Sequence, residues 1–97
     1  MATYVALLNW TEQGVKNFKD SPGRADAARE AFAKKGVDLK EFFWTIGAYD
    51  LVTIVDAPDD ETLTAALLAL GAAGNVRSTT MRAFSKDEFA AIASRAG

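Results

Sequence analysis

Three short runs in this chain are apolar on both faces that an extended strand would present. Thr3-Tyr4-Val5-Ala6-Leu7-Leu8-Asn9-Trp10, Phe42-Phe43-Trp44-Thr45-Ile46 and Leu51-Val52-Thr53-Ile54-Val55 are rich in β-branched and aromatic residues. A strand with one wet face alternates apolar and polar side chains, and these do not. Each run therefore needs cover on two sides, which limits the possible folds more than any other feature. The chain has 97 residues, read as one domain over 1–97. A chain this short buries only roughly 60–65% of the surface its unfolded form exposes. Contacts with another molecule can therefore matter to its stability.

The segments between these runs read as helices. Thr11 makes a good N-cap, with Glu12 in the first turn of a short helix through Val15 and Phe18. Ser21-Pro22 opens a second piece, with the hydroxyl as cap and proline at the first helical position. Ala25, Ala28 and Phe32 share one stripe, and Lys34-Lys35-Gly36 supply the basic last turn and a left-handed stop. Asp20 to Gly23 then reads as a kink between two helical pieces. Asp59 caps a further helix with Leu63, Ala66, Leu67, Leu70 and Ala73 as its stripe and Gly71 and Gly74 near its end. Val76 to Phe84 is a fourth strand. Ser85 and Glu88 form a capping box for a last short helix carrying Phe89, Ile92 and Ala93.

The order is β-α-β-β-α-β plus a C-terminal helix. That is the α+β class and the split-βαβ, ferredoxin-like arrangement, with helices on one face of a four-stranded antiparallel sheet. The other face then lacks cover. Depending on register it carries Leu7, Phe43 and Leu51, or Tyr4, Phe42, Trp44 and Ile54. Apolar patches of that size on a soluble protein mark an interface or a ligand groove. The simplest solution packs two sheets face to face as a dimeric α+β barrel, so a homodimer or higher homo-oligomer is expected.

Composition removes several function classes. The net charge is −2, and the only basic doublet is Lys34-Lys35 at a helix end, so no nucleic-acid partner is expected. The absence of cysteine and histidine removes thiol chemistry, the commonest general base and the usual haem ligand. No apolar run approaches ~18 residues, so no membrane span is expected. Met1 leads directly into a strand-like run without a basic n-region, and a cytoplasmic location follows by default. Asp59, Asp60 and Glu61 resemble a metal cluster, but consecutive residues do not share one helix face, and acids at a helix start serve capping. No cofactor or metal is expected.

The candidate site residues are few. Gly47-Ala48-Tyr49-Asp50 joins two strand runs and signals a hairpin. Gly47 can take a positive φ, and Asp50 can bind nearby backbone amides. The competing reading makes Tyr49 a donor and Asp50 a base or ligand-orienting carboxylate at a cavity mouth. Arg24, near a helix N-terminus, calls for a carboxylate partner such as Asp50 or an acid across the dimer; the alternative is a solvated arginine. Trp10, Trp44, Phe42 and Phe43 read first as core or interface. A sharper version makes them an aromatic pocket between sheets, with Asn9, Thr45, Thr53 and Arg82 as its polar groups.

Three separated blocks also resemble a known family. "MATYVALLNWTEQGVKNFKDSPGRADAAREA", "TIGAYDLVTIVDAPDDE" and "GNVRSTTMRAFSKDEF" are similar to the GYD-domain family of small bacterial and archaeal proteins, whose name comes from the Gly-x-Tyr-Asp block. The resemblance covers almost the whole chain. It implies a ferredoxin-like fold related to dimeric α/β-barrel proteins, and it brings no catalytic residues with it. The leading functional expectation is a homo-oligomeric protein that binds a small apolar or aromatic molecule in a pocket between sheet and helices. The alternatives are a cofactor-free oxygenase or isomerase on the same scaffold, by fold-level analogy, and a structural or regulatory assembly unit.

Overall fold

The computed structural model describes all 97 residues, Met1–Gly97. Strand β1 is Ala2–Trp10, β2 Asp38–Trp44, β3 Leu51–Ala57 and β4 Val76–Ala83. Helix α1 is Glu12–Lys16, α2 Ser21–Lys34, α3 Asp60–Ala72 and α4 Lys86–Arg95; a 3-10 turn, Phe18–Asp20, leads into α2. The strands form one antiparallel sheet in the order β2-β3-β1-β4. This is the ferredoxin-like arrangement expected from the element order.

The caps hold α1, α3 and α4 where the sequence places them. Thr11 accepts from the Gly14 amide, Asp59 accepts from the Thr62 amide, and Ser85 with Glu88 closes a reciprocal capping box. Helix α2 differs. Its N-cap is Asp20, which makes no side-chain cap bond, and Pro22 is its second residue. Ser21 is not a cap: it lies inside the helix, buried, and its hydroxyl accepts from the Trp44 indole at 2.9 Å.

Register decides which side chains reach the helices. Tyr4, Ala6 and Leu8 pair with Val55, Thr53 and Leu51, and all six are buried on the helix-covered face. With Phe32, Val37, Leu39, Leu63 and Ala66 they make the core. Both sequence-based groupings were therefore out of phase on β3. Leu51 faces the helices, whereas Ile54 opposes Val5 on the open face. A shift of one residue transfers a strand's whole apolar set to the other side, and only the pairing fixes that phase.

Strand β2 also begins four residues before the aromatic run and ends at Trp44, leaving Ile46 fully exposed. A register shift between Leu39 and Glu41 puts an extra residue into β2. Leu39 and Phe42, three apart, therefore both pack toward the helices.

The open face has an apolar centre and a polar rim. Val5, Leu7, Val52 and Ile54 are half-buried there, and Phe43 and Met81 stand exposed beside them. At one end the Thr3 hydroxyl donates to Asp56 at 2.7 Å and Lys40 pairs with Asp56 at 3.2 Å. Those two contacts, the Thr3 bond first, hold the Asp56 carboxyl below its ordinary range. Helix α4 is also uncovered. None of its residues is buried, and Phe89 and Ile92 stay open to solvent.

Candidate functional site

The Gly-x-Tyr-Asp block lies in the loop between β2 and β3, and its hydrogen bonds tie that loop to the end of β1. The Asp50 amide donates to Leu8 O at 2.9 Å, and the Trp10 amide donates to the Asp50 carboxylate at 2.9 Å. Asp50 precedes β3, so its side chain supplies an acceptor where the β1–β3 backbone ladder stops. Asn9 Nδ2 donates to Ala48 O at 2.9 Å, and the Thr45 hydroxyl donates to Tyr49 O at 2.6 Å. Gly47 has φ +121°, a conformation that side chains avoid. These contacts organise the loop; Tyr49 itself is only partly exposed and stands among them.

Arg24 has a different set of partners from the expected carboxylate. Its guanidinium donates to Asn17 O at 2.8 Å and Gly14 O at 3.2 Å. Neither of the two ion pairs, Lys40–Asp56 and Arg82–Glu88, involves it. The planar fork of an arginine suits two carbonyls at the end of a short helix.

Arg82 lies at the opposite end of the sheet, beside the Asp56 end of β1. It donates to Thr3 O, lies over the Tyr4 and Phe84 rings, and pairs loosely with Glu88 at 3.8 Å. The neighbouring Tyr4 hydroxyl donates to Asp60, and that bond pushes the phenol above its ordinary range. The same corner holds Thr80, whose buried hydroxyl has no protein partner.

The candidate residues thus fall into three places. Asn9, Trp10, Tyr49 and Asp50 meet at the loop end of the sheet. Arg24 and Thr53 line a cleft between α2, α3 and the sheet, with Trp44 bonded to Ser21 at its edge. Arg82 stands apart. An aromatic pocket between two sheets cannot gather the expected groups, because Trp10, Phe42 and Trp44 lie on the helix side. Phe43 alone of that aromatic set faces out. The Phe42 and Trp44 rings stack at 6.2 Å, and Arg29 lies 5.3 Å from the Phe42 ring.

The cleft has an inner space of about 60 Å³ against the sheet and an outer groove of about 310 Å³ between the two helices. Both are lined by Arg24, Ala28, Phe32 and Leu70, so they adjoin. Ser21, Arg24 and Thr53 are the polar residues of the inner space. Thr53 is 4% exposed and its hydroxyl has no protein partner. Ser21 and the outer groove escaped sequence reading. A serine beside proline looks like a cap, and Ala28, Ala66 and Ala73 read as parts of apolar stripes rather than as the wall of a groove. No His, Cys, Asp or Glu lines the cleft, and no three such side chains converge anywhere in the chain. The cleft presents an apolar wall with a few polar groups, the usual form of a small-molecule pocket.

Comparison with known proteins fits this architecture. The chain is 29% identical over 84 residues to the "Glutamine synthetase and cystathionine beta-lyase binding protein" of Thermus thermophilus, across 86% of this chain and 88% of that one. A crystal structure from the same organism superposes with a TM-score of 0.55 at 28% identity, covering 88% of this chain and 95% of the other. The family model for the GYD domain matches residues 4–93. With the Gly47–Asp50 block seated at the end of β1 and the match spanning nearly every element, the chain belongs to the GYD domain family.

Proposed function

We propose that this chain is a homo-oligomeric binding protein. Its open sheet face is the interface between copies, and its α2–α3 cleft takes up a small apolar or aromatic molecule. The observation that carries the reading is the open face itself: a central apolar patch of Val5, Leu7, Phe43, Val52, Ile54 and Met81 inside a polar rim. That is the anatomy of a protein–protein interface. The cleft, with its buried and unpartnered Thr53 hydroxyl, supports the ligand half of the proposal. A cytoplasmic place of action belongs to the same reading, and no helix is long and apolar enough to cross a membrane.

Light scattering on the purified protein tests the first half, with dimers or larger species expected at micromolar concentration. A stable monomer overturns it. A thermal-shift screen of small aromatic and aliphatic compounds tests the second. A ligand at 100 times its Kd stabilises the fold by about 2.7 kcal/mol, a shift such screens detect.

The name of the Thermus relative favours a second reading, in which the assembled protein docks onto other proteins. After self-association the outer faces of α2 and α3 remain free for this. Affinity capture with purified glutamine synthetase and cystathionine beta-lyase from the same organism as this chain tests it. Retention of neither enzyme counts against it.

A further inference from the structure

We infer that the α2–α3 cleft is built for a small apolar monocarboxylate, with the acid group toward the first turn of α2 and the hydrocarbon part along the apolar walls. The inference rests on the proposed reading of the cleft as a ligand site and names the class of ligand.

The cleft is open and apolar. The inner space and the outer groove adjoin, so a path leads from the surface to the sheet. Of the fifteen residues lining the inner space, twelve are hydrophobic, and the other three are Ser21, Arg24 and Thr53. A molecule seated there must be mostly hydrocarbon, with its polar atoms confined to one region.

The sign of charge is set by α2. Ser21 and Arg24 are the first and fourth residues of this 14-residue helix, and both line the inner space. The first turn carries no acidic residue, and Asp20 makes no side-chain cap bond to it. The amides of that turn therefore donate to no side-chain cap, although the Asp20 carboxylate lies at the N-cap position. Arg24 adds a full positive charge with no carboxylate partner, held in place by two backbone carbonyls that use two of its five N–H donors.

The hydroxyls complete the argument independently. The Ser21 oxygen already accepts from Trp44, so its own proton is free to donate. The Thr53 hydroxyl is buried on the floor strand without a protein partner, which is costly unless a bound group meets it. The donors and charge of Ser21 and Arg24 at the α2 end, the Thr53 hydroxyl on the floor and hydrocarbon elsewhere match a carboxylate with an apolar body. A dianion would leave charge unmatched by the single guanidinium.

The test compares acids with neutral molecules of the same shape. Benzoate and hexanoate are titrated against benzamide and hexanol at equal ionic strength, with binding followed by NMR and thermal shift on the whole protein. The acids are expected to bind at least tenfold more tightly. Arg24→Met is expected to abolish that preference, so that acids and neutral compounds bind alike. Ala28→Leu, which narrows the cleft, is expected to weaken all four. Should Arg24→Met fail to fold, the natural protein and Ala28→Leu still decide. Neutral molecules binding as tightly as the acids overturn the carboxylate inference but leave the cleft reading standing. Acid binding that Ala28→Leu leaves unchanged places the site elsewhere and also overturns the inference. Failure of all four compounds to bind removes the cleft reading itself.

Discussion

Asp50 shows how a residue's type can be legible while its partner is not. An aspartate beside a glycine-containing turn was expected to bind backbone amides, and it does. The amide, however, belongs to Trp10, forty positions away. Nothing in local spacing carries that contact. Arg24 repeats the lesson: its need for a partner followed from the helix dipole, but two carbonyls fill it rather than Asp50. The Trp10 bond makes a prediction. Asp50→Ala leaves a partly buried amide unpaired and should destabilise the fold by roughly 1–3 kcal/mol, while Asp50→Asn keeps an acceptor and should cost less. Urea unfolding of the two variants measures the difference, and equal losses would deny the carboxylate its role as a substitute for the missing ladder carbonyl. Gly14 is a second test. A Cβ added there would lie 2.0 Å from Asn75 O, a backbone atom that cannot swing aside. Gly14→Ala should therefore cost roughly 1–3 kcal/mol by overpacking, although alanine is the better helix former.

At the scale of elements, the helices were the readable part. Thr11, Asp59, Ser85 and Gly36 mark ends through local chemistry, and local chemistry is written in local sequence. The strands were readable as strands but not in phase, since side chains on both parities are apolar. Strand β2 hid its first residues because Asp38-Leu39-Lys40-Glu41 looks like a loop and a bulge there breaks the alternation. The cleft was harder still, because it exists only where two helices from separate parts of the chain stand apart over the sheet. The caps also titrate. The bond from Thr62 holds the Asp59 carboxyl below its ordinary value, and the bond from the Ser85 amide does the same for Glu88. A depressed folded-state pKa gives stability that is present above the unfolded value and lost as pH falls through the folded one. Helix content followed by circular dichroism should thus decline as the medium is acidified below the ordinary carboxylate range. Asp59→Asn with Glu88→Gln should flatten that decline, and an unchanged acid profile in the double variant would show that other carboxylates govern it.

The whole molecule exposes more surface than a typical single copy of its mass. Its accessible surface is 6298 Å² for 10.4 kDa, against about 5,400 Å² for a typical monomer of that mass. Its Cα radius of gyration is 14.5 Å, where a chain of this length usually has about 12.5 Å. The molecule extends 50 Å along its longest axis, and no residue of α4 is buried. The surplus, about 900 Å², is close to the roughly 800 Å² that each partner buries in a standard interface. The open sheet face and the Phe89–Ile92 stripe of α4 supply the apolar part of it. Ile54→Glu places a carboxylate at the centre of the sheet patch. In the monomer that side chain is already half-exposed, so the folded copy should lose little. In the dimer the charge would face another apolar sheet without a partner, and it should weaken association by at least about 2.7 kcal/mol, or a hundredfold in Kd. Phe89→Ser with Ile92→Ser should weaken association less, since these side chains lie outside the sheet patch. Sedimentation equilibrium of the three proteins over a range of concentrations reads these differences directly. Ile54→Glu also carries an internal control. If copies associate through the sheet, the melting temperature of the natural protein rises with concentration and that of the variant does not. Natural protein and variant sedimenting alike, with melting independent of concentration in both, would mean that this sheet face is covered by something other than a second copy.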